Sequence, residues 1–264
     1  MRLLTIGDNT IDRYRGAMTG ERVGGNALNV AMNLALAGYS VVYAGAVGSD
    51  DAGDHVVDVL RSVGIDTSHV VRSHLPTAST DVRVLESGER VFEAEHYGAT
   101  GEYRPDGRLL ASVGPVDAIH LGYLADVELL YPALATTNAL VSQDCAVTPQ
   151  RGALGIAFIS GGDGDSQVAR SLAESAVAQG AALAVVTLGS AGSAVYDAAD
   201  WYECAAAPTI VVDTTGAGDS YIAEFIAQRC NIVDIETAMR AASIAAAATC
   251  SHWGAWATVN PGNL

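Results

Sequence analysis

The sequence contains no lysine, and all 14 of its basic residues are arginine. This absence excludes the enzyme classes whose chemistry needs a lysine, namely P-loop nucleotide hydrolases, protein kinases, pyridoxal enzymes and Schiff-base aldolases. If the protein binds phosphate groups, backbone N–H groups, arginine and a divalent metal must hold them.

Positive charge and long apolar runs are also scarce. The formal net charge of −16 argues against a nucleic-acid partner and against binding to anionic lipid. No apolar run reaches the roughly 20 residues of a membrane helix, and the N-terminus lacks the features of a signal peptide. The cysteines, Cys145, Cys204, Cys230 and Cys250, form no CxxC pair. We therefore expect a cytoplasmic protein with free, mostly buried thiols.

Strand-like and helix-like segments alternate along the chain, which is long enough for one large domain over residues 1–264. Apolar runs predict buried strands, and apolar residues at helical spacing predict helices. The predicted strands are 3–6, 41–47, 118–122, 140–146, 156–160 and 183–188, and the predicted helices include 26–37 and 51–63. This alternation is typical of an α/β fold with a mostly parallel sheet covered by helices on both faces.

Two polar segments interrupt the alternation. Residues 80–96 read as a β-hairpin with a turn at Glu86–Glu89, and residues 12–23 can supply a neighbouring strand. Together, about 12–23 and 76–98 predict a small sheet that stands off the main domain as a lid. An ordinary edge hairpin of the main sheet is the alternative.

A glycine-rich segment, Asp213–Asp219, carries the clearest chemical signal. It lies between an apolar run at 210–212, which predicts a strand, and a helical segment at 220–230. A glycine loop at a helix N-terminus directs backbone N–H groups at one point and binds anions. Asp219 beside a bound phosphate can accept the proton of an attacking hydroxyl.

The segment 213–219 resembles the C-terminal signature of the PfkB (ribokinase-like) carbohydrate kinases, and 24–31 resembles their N-terminal signature. Segments 47–53 and 186–192 fall between them in family order, and the resemblance extends from Leu3 to about Trp256. Further residues resemble the branch that phosphorylates fructosamines such as fructoselysine. They are Ile6–Asn9 with Asp12 and Tyr14, Arg90–Phe92, and His252–Trp256.

The resemblance implies a ribokinase-like three-layer αβα fold with a β lid, and an ATP- and Mg²⁺-dependent kinase that acts on a hydroxyl of a sugar or glycated amine. It implies roles for individual residues. Asp219 matches the catalytic base; Gly216, Ala217 and Gly218 match the anion hole; Asp12, Gly25, Asn26 and Asn29 match substrate-binding positions; Thr187, Gly189 and Gly192 match the nucleotide cleft.

Three further predictions concern metals, charge and assembly. Asp213 and the 251–254 loop lie where relatives bind a monovalent cation such as K⁺. Many members carry Asn-x-x-Glu where this chain has Ser160-Gly161-Gly162-Asp163, so Asp163 is the candidate to act on Mg²⁺ through water. Arg90 is the candidate for an acidic group of the substrate, and the lid implies a homodimer contact.

Each residue also has an ordinary interpretation. Asn26 can simply cap a helix, Asn29 can be a buried polar residue, and Asp12 or Arg90 can be solvated at the surface. Other functions stay open, namely a kinase of a plain sugar, nucleoside or polyol and a catalytically silent sugar-binding protein. A nicotinamide-dependent oxidoreductase is disfavoured, because no GxGxxG follows the first strand.

Overall fold

The computed structural model describes residues 1–17, 19–85, 90–150, 152–162 and 164–257, without the side chains of Arg90 and Phe92. In chain order its strands and helices are β1 (Arg2–Ile6), β2 (Thr10–Gly16), β3 (Gly20–Gly24), α1 (Asn26–Leu36), β4 (Ser40–Gly48), α2 (Asp51–Ser62), β5 (Asp66–Ser73), β6 (Ser79–Val84), β7 (Arg90–His96), α3 (Gly98–Gly101), α4 (Gly107–Val113), β8 (Ala118–Leu121), α5 (Tyr131–Leu134), β9 (Leu140–Asp144), β10 (Leu154–Ser160), α6 (Ser166–Ala178), β11 (Ala181–Thr187), β12 (Ser193–Tyr196), β13 (Trp201–Cys204), α7 (Ala217–Cys230) and α8 (Ile235–Thr249).

The larger sheet has the strand order β13-β12-β11-β10-β9-β8-β1-β4-β5 within the described residues. Every pair from β5 to β11 is parallel, and β12 and β13 run antiparallel at one edge. Because the strands are parallel, their carboxyl ends meet at one edge of the sheet. Ligands of such sheets bind at this edge.

Helices cover both faces of the larger sheet. Side chains alternate along each strand, so Leu3 packs with α1, α2, α7 and α8, and Leu4 packs with α4, α5 and α6 on the other face. Phe158 and Phe225 meet edge-to-face at 5.8 Å between ring centroids, in the first of these two cores. The result is the three-layer αβα arrangement predicted from the sequence.

A second, smaller sheet has the order β3-β2-β6-β7 within the described residues. Strands β2 and β6 are parallel neighbours, and β3 and β7 pair with them antiparallel on the outside. Tyr14, Val82 and Val84 form a small apolar cluster of their own on this sheet. The 80–96 hairpin therefore belongs to a separate sheet and not to an edge of the main one, although its turn at 86–89 lies outside the described residues.

The strands predicted at 3–6, 41–47, 118–122, 140–146, 156–160 and 183–188 and the helices predicted at 26–37 and 51–63 are all present, with bounds shifted by up to two residues. The strand predicted at 210–212 is wrong. None of the described strands pairs with it; instead the N–H groups of Val212 and Asp213 donate to the carbonyl of Cys250. Ile210, with 86% of its surface exposed, therefore lies in an exposed loop. Helix α7 also begins three residues before the predicted 220–230 segment, which places Asp219 in its first turn.

Two expectations from the sequence, one on the cysteines and one on membrane helices, can be compared with the fold. The four cysteines are free, as expected, but each is only partly buried. In the described part of the chain, no helix is both long and apolar enough to cross a bilayer.

Ile232 provides a test of backbone strain at the end of α7. Its φ of 58° lies in the left-handed region, and 90% of its surface is exposed. Its N–H donates to the Arg229 carbonyl, and the next N–H donates to that of Gln228, a Schellman motif whose left-handed position normally holds glycine. We expect Ile232→Gly to raise the free energy of unfolding by about 0.5–1 kcal/mol in a urea titration.

The control is the same substitution in a helix. Ile244 is also exposed, within α8, where glycine is unfavourable. Ile244→Gly should lower the free energy of unfolding by about 1 kcal/mol. If both variants shifted stability in the same direction, backbone strain at Ile232 would not be the cause.

Candidate active site

The N-terminus of α7 lies between two clefts, which are described below. Gly216 precedes the helix with a left-handed φ of 72°, and no side chain caps the helix within the described residues. The first-turn N–H groups therefore have no side-chain acceptor, and the helix dipole adds partial positive charge there. The backbone of Ala255 lies so close that a Cβ on Gly216 would stand 2.5 Å from its Cα. Glycine is thus needed here for both conformation and space.

The carboxylate of Asp219, in the first turn of α7, is held by two amide groups. Asn26 donates to Oδ1 at 2.6 Å, and Asn29 donates to Oδ2 at 2.7 Å. These asparagines are three residues apart at the start of α1, so they lie on one side of that helix. Each carboxylate oxygen keeps a lone pair for a further hydrogen bond.

Two more carboxylates lie near Asp219. The amide nitrogen of Asn26 also donates to Asp144, at 2.8 Å, and so bridges the two acids. Asp8 accepts three backbone N–H groups, from Asn26 at 2.7 Å, Ala27 at 3.1 Å and Tyr123 at 3.0 Å. Asp8 thereby fixes the start of α1 and its connection to the loop after β8.

Burial and like charge shift the titration of these acids. Burial, the largest cause, raises the pKa of Asp219 to about 7, and the charges of Asp144 and Asp8 act in the same direction while the amides of Asn29 and Asn26 oppose them. Burial likewise raises the pKa of Asp144 to about 6 and raises the pKa of Asp8. A carboxyl with a pKa near neutrality can accept and release a proton at physiological pH.

The first cleft, which we call the inter-sheet cleft, lies between the two sheets and has a volume of about 580 Å³. Among the residues lining it are Asn9, Asp12, Gly25, Asn26, Thr80, Glu95, Tyr97, Tyr123, Asp144 and Asp219. Gly25, with a φ of 111°, allows the chain to pass close to Asn9, because a Cβ there would stand 2.5 Å from the Asn9 Cα. The inter-sheet cleft therefore lies between the small sheet and the start of α1.

The second cleft, which we call the α8 cleft, also has a volume of about 580 Å³. It is lined by, among others, Ser160, Gly162, Thr187, Gly189, Gly192, Thr214, Ala217, Tyr221, Ser243 and Cys250. Its described lining contains no carboxylate and is largely apolar. Since Ala217 lines this cleft and Asp219 lines the other, the first turn of α7 connects them.

Asp213 ties two loops together beside α7. Its Oδ1 accepts the N–H of Thr215, and its Oδ2 accepts that of Gly254, each at 2.8 Å. The second bond holds the chain segment whose Ala255 packs against Gly216. No group of three or more His, Cys, Asp or Glu side chains that could hold a metal ion occurs in the described portion of the chain.

The structure brings most of the predicted residues to the two clefts. Asp12, Gly25, Asn26 and Asp219 line the inter-sheet cleft. Thr187, Gly189, Gly192 and Ala217 line the α8 cleft. Gly216 and Gly218 flank Ala217 at the start of α7. Asn29 does not line the inter-sheet cleft, but its side-chain amide donates to the Asp219 carboxylate.

Two predicted residues cannot be compared with the structure. Asp163 and the side chain of Arg90 lie outside the described residues. The backbone of Arg90 begins β7, five residues before Glu95 at the cleft, which is roughly 16 Å along a strand.

Sequence reasoning assigned no site role to Asp8, Asp144, Glu95, Tyr97 or Tyr123. A signal was available for the first two, because each follows or ends a buried parallel strand, where the functional edge of such a sheet lies. The other three depend on how the small sheet and the loop after β8 are placed, and no local pattern reveals this.

Comparison with known proteins identifies the family to which the chain is similar. The family "pfkB family carbohydrate kinase" matches residues 11–155 and 152–261. The chain is similar to "Fructoselysine 6-kinase" of Escherichia coli (strain K12), with 32% identity over 264 residues that cover 96% of this chain and 99% of the relative. It is 29% identical to "Fructosamine kinase FrlD" of Bacillus subtilis (strain 168), over 97% of this chain and 93% of the relative.

Solved structures agree on the fold. A ribokinase of Arabidopsis thaliana complexed with ribose and ATP superposes with a TM-score of 0.84 at 21% identity, covering 96% of this chain and 93% of that one. A ribokinase from Thermotoga maritima superposes with a TM-score of 0.82 at 19% identity, covering 96% and 94%. The architecture is therefore the ribokinase fold.

The two glycines at the start of α7 should differ in their tolerance of a side chain. Gly216→Ala places a Cβ 2.3 Å from the Cβ of Ala255 at a left-handed φ, whereas a Cβ on Gly218 meets nothing within 4 Å. We expect Gly216→Ala to lower the free energy of unfolding by at least about 2 kcal/mol. Gly218→Ala should change it by less than about 0.5 kcal/mol, measured by the same denaturant titration. Equal losses would contradict the packing described here.

Proposed function

We propose that this chain, which belongs to the pfkB family of carbohydrate kinases, transfers the γ-phosphate of ATP to a hydroxyl of a fructosamine such as fructoselysine. Its activity as a carbohydrate kinase follows from family membership. The choice of a fructosamine rests on full-length similarity to relatives named for fructoselysine and fructosamine. The name of the Escherichia coli relative, fructoselysine 6-kinase, further suggests the 6-hydroxyl.

The observation that carries the mechanism is the position of Asp219 between the two clefts. A nucleotide in the α8 cleft would place its terminal phosphate at the first turn of α7, and a sugar in the inter-sheet cleft would place a hydroxyl at the carboxylate. No side chain caps the first turn of α7 within the described residues, although the Ala217 N–H donates to the Thr214 carbonyl at 3.3 Å. A helix start of this kind suits a phosphate, which supports the anion hole predicted at Gly216, Ala217 and Gly218.

In the proposed step the substrate hydroxyl oxygen attacks the γ-phosphorus of ATP. The bond from that phosphorus to the β–γ bridging oxygen breaks, ADP leaves, and the hydroxyl proton passes to Asp219. Because phosphoryl transfer depends mostly on positioning and charge neutralisation, the first-turn N–H groups contribute by offsetting charge on the transferred group. Asn26 and Asn29 orient the base through its two oxygens.

The proposal also includes metal ions. When bound together with ATP, Mg²⁺ would supply positive charge that offsets the charge of the phosphates. Because the described lining of the α8 cleft has no carboxylate, the nucleotide itself would supply most of its ligands, and Asp163 remains the candidate to assist through water. A K⁺ ion near Asp213 and the 251–254 loop remains a prediction. Both carboxylate oxygens of Asp213 already accept a backbone N–H group.

The small sheet, with segments at about 12–23 and 76–98, is proposed to act as the lid of the inter-sheet cleft. Its Asp12 and Thr80 face the sugar site, and closure would exclude water so that the sugar accepts the phosphoryl group. A homodimer contact through this sheet and a cytoplasmic location remain part of the proposal.

The pKa of Asp219 leads to a pH prediction. The base must be ionised, so below a pH of about 7 the fraction of active enzyme falls as the carboxyl takes up a proton. We expect log kcat/KM to fall with unit slope on the acid side, and Asp219→Asn to lose at least about a hundredfold in kcat. Steady-state kinetics from pH 5 to 9 in mixed buffers measures both effects.

Asn29→Ala is the informative companion. It removes an amide that lowers the pKa of Asp219, so the acid limb should move to higher pH. Asp219→Asn must retain its circular dichroism spectrum and ATP binding. If Asp219→Asn kept a kcat close to that of the wild type, the assignment of Asp219 as the base would be wrong.

A coupled assay of ADP release across fructoselysine, fructose, ribose and adenosine tests the substrate class. We expect kcat/KM for fructoselysine to exceed that for fructose by at least about tenfold, because a site that pairs the charged groups gains charge-assisted hydrogen bonds. If Arg90 meets the substrate carboxylate, Arg90→Ala should raise KM for fructoselysine and leave fructose nearly unchanged. A better rate with fructose, ribose or adenosine would refute the fructosamine assignment and leave the family intact.

A further inference from the structure

The described lining of the inter-sheet cleft is strongly acidic. It contains the carboxylates of Asp8, Asp12, Glu95, Asp144 and Asp219, and it contains no arginine. The Nε2 of its histidine, His96, lies 3.8 Å from Asp81, which is not one of these five carboxylates. The chain has no lysine to supply the missing cation. A cleft of this composition favours a substrate that brings positive charge with it.

Three of these acids lie in the core of the site. Asp8 accepts backbone N–H groups at the start of α1, and Asp144 and Asp219 share the amide of Asn26. The remaining two, Asp12 and Glu95, are on the small sheet, on the opposite wall of the cleft. Asp12 is the position that the family resemblance assigns to sugar hydroxyls, which leaves Glu95 without an assigned role.

The register of the small sheet places Glu95 on the wall of the cleft. Asp12 pairs with Thr80, and Thr80 pairs with Glu95, so the three side chains form a row across one face of the sheet. The register shifts between Asp81 and Val82, where β7 contains an extra residue, Glu93. Glu93 pairs instead with Arg83 at 2.5 Å and does not line the cleft.

Glu95 is held in place but is not neutralised. The Tyr97 hydroxyl donates to its Oε2 at 2.9 Å, and the Tyr97 ring lies 5.0 Å from that of Tyr123. No cationic side chain among the described residues pairs with Glu95. An exposed carboxylate that is fixed by a tyrosine and lacks a cation is well suited to bind one from a ligand.

We propose that Glu95 binds the protonated amine of a fructosamine and is the residue by which the enzyme prefers a glycated amine to the free sugar. This inference rests on the proposed function. A fructosamine carries a primary or secondary amine at C1, which is protonated at neutral pH, whereas fructose carries a hydroxyl there. If the 6-hydroxyl lies at Asp219, C1 lies at the other end of the sugar chain, away from the base. Because Glu95 is exposed, fructose leaves it hydrated at little cost, and the preference comes from a gain by the cationic substrate.

The test uses two substrates that differ only at C1, 1-amino-1-deoxyfructose and fructose. In wild-type enzyme the amine should have the higher kcat/KM. Glu95→Gln should lower kcat/KM for the amine about tenfold to a hundredfold, mainly through KM, and change that for fructose by less than about twofold. Glu93→Gln is the matched control, because it removes a carboxylate from the same strand without facing the cleft, and it should leave the ratio of the two substrates unchanged.

The outcomes separate this inference from the proposed function. If wild-type enzyme does not prefer the amine, the proposed function fails and this inference fails with it. If wild-type prefers the amine but Glu95→Gln keeps the ratio, or lowers both substrates equally, only the role of Glu95 is overturned. If both variants unfold within about 2 °C of the wild-type melting temperature, a changed substrate ratio is not a folding effect. If Glu95→Gln unfolds at a lower temperature than this, Glu95→Asp serves as the test. Because Glu95→Asp keeps the charge, it must keep the preference for the amine.

Discussion

A carboxylate enclosed at the start of a helix is the constraint around which this site is arranged. Asp219 lies near two other acids, and burial opposes its ionisation, so the charge is tolerable only with hydrogen-bond donors on both oxygens. Asn26 and Asn29 supply these donors from one side of α1. The position of α1 therefore matters as much as the position of α7, which explains why Asp8 and Gly25 hold its first residues so closely.

The sheet topology explains why one helix turn can connect two clefts. Parallel strands end at the same edge, so the loops after β1, β8 and β9 meet beside α7 and form the floor of the inter-sheet cleft. The loops after β10 and β11 form the α8 cleft at the same edge. The first turn of α7 lies between them, where the phosphate of one ligand can reach the hydroxyl of the other.

Several features of the site lower stability and are consistent with a binding role. Within the described residues, helix α7 begins without a side-chain cap, and five acids line one cleft. Glu95 faces that cleft, and no cationic side chain in the described part of the chain pairs with it. Local departures of this kind concentrate at functional sites, where a ligand supplies the missing partner.

The amino-acid sequence by itself determined the alternation of strands and helices and the two signatures at 24–31 and 213–219, and it predicted a role for Asp219. These features depend on apolar periodicity and on glycines in a short segment, both of which are local. The same local logic failed at 210–212, because an apolar run becomes a strand only where a neighbouring strand can pair with it.

Only the tertiary structure decided which side chains meet. Asp8, Asp144 and Asp219 are far apart in the chain and converge because parallel strands share an edge. Asn29 turned out to contact Asp219 and not to line the cleft, since the face that α1 presents depends on its packing. One extra residue in β7 turns Glu95 toward the cleft and leaves Glu93 paired with Arg83, because a shift of one residue in a strand moves a side chain to the opposite face.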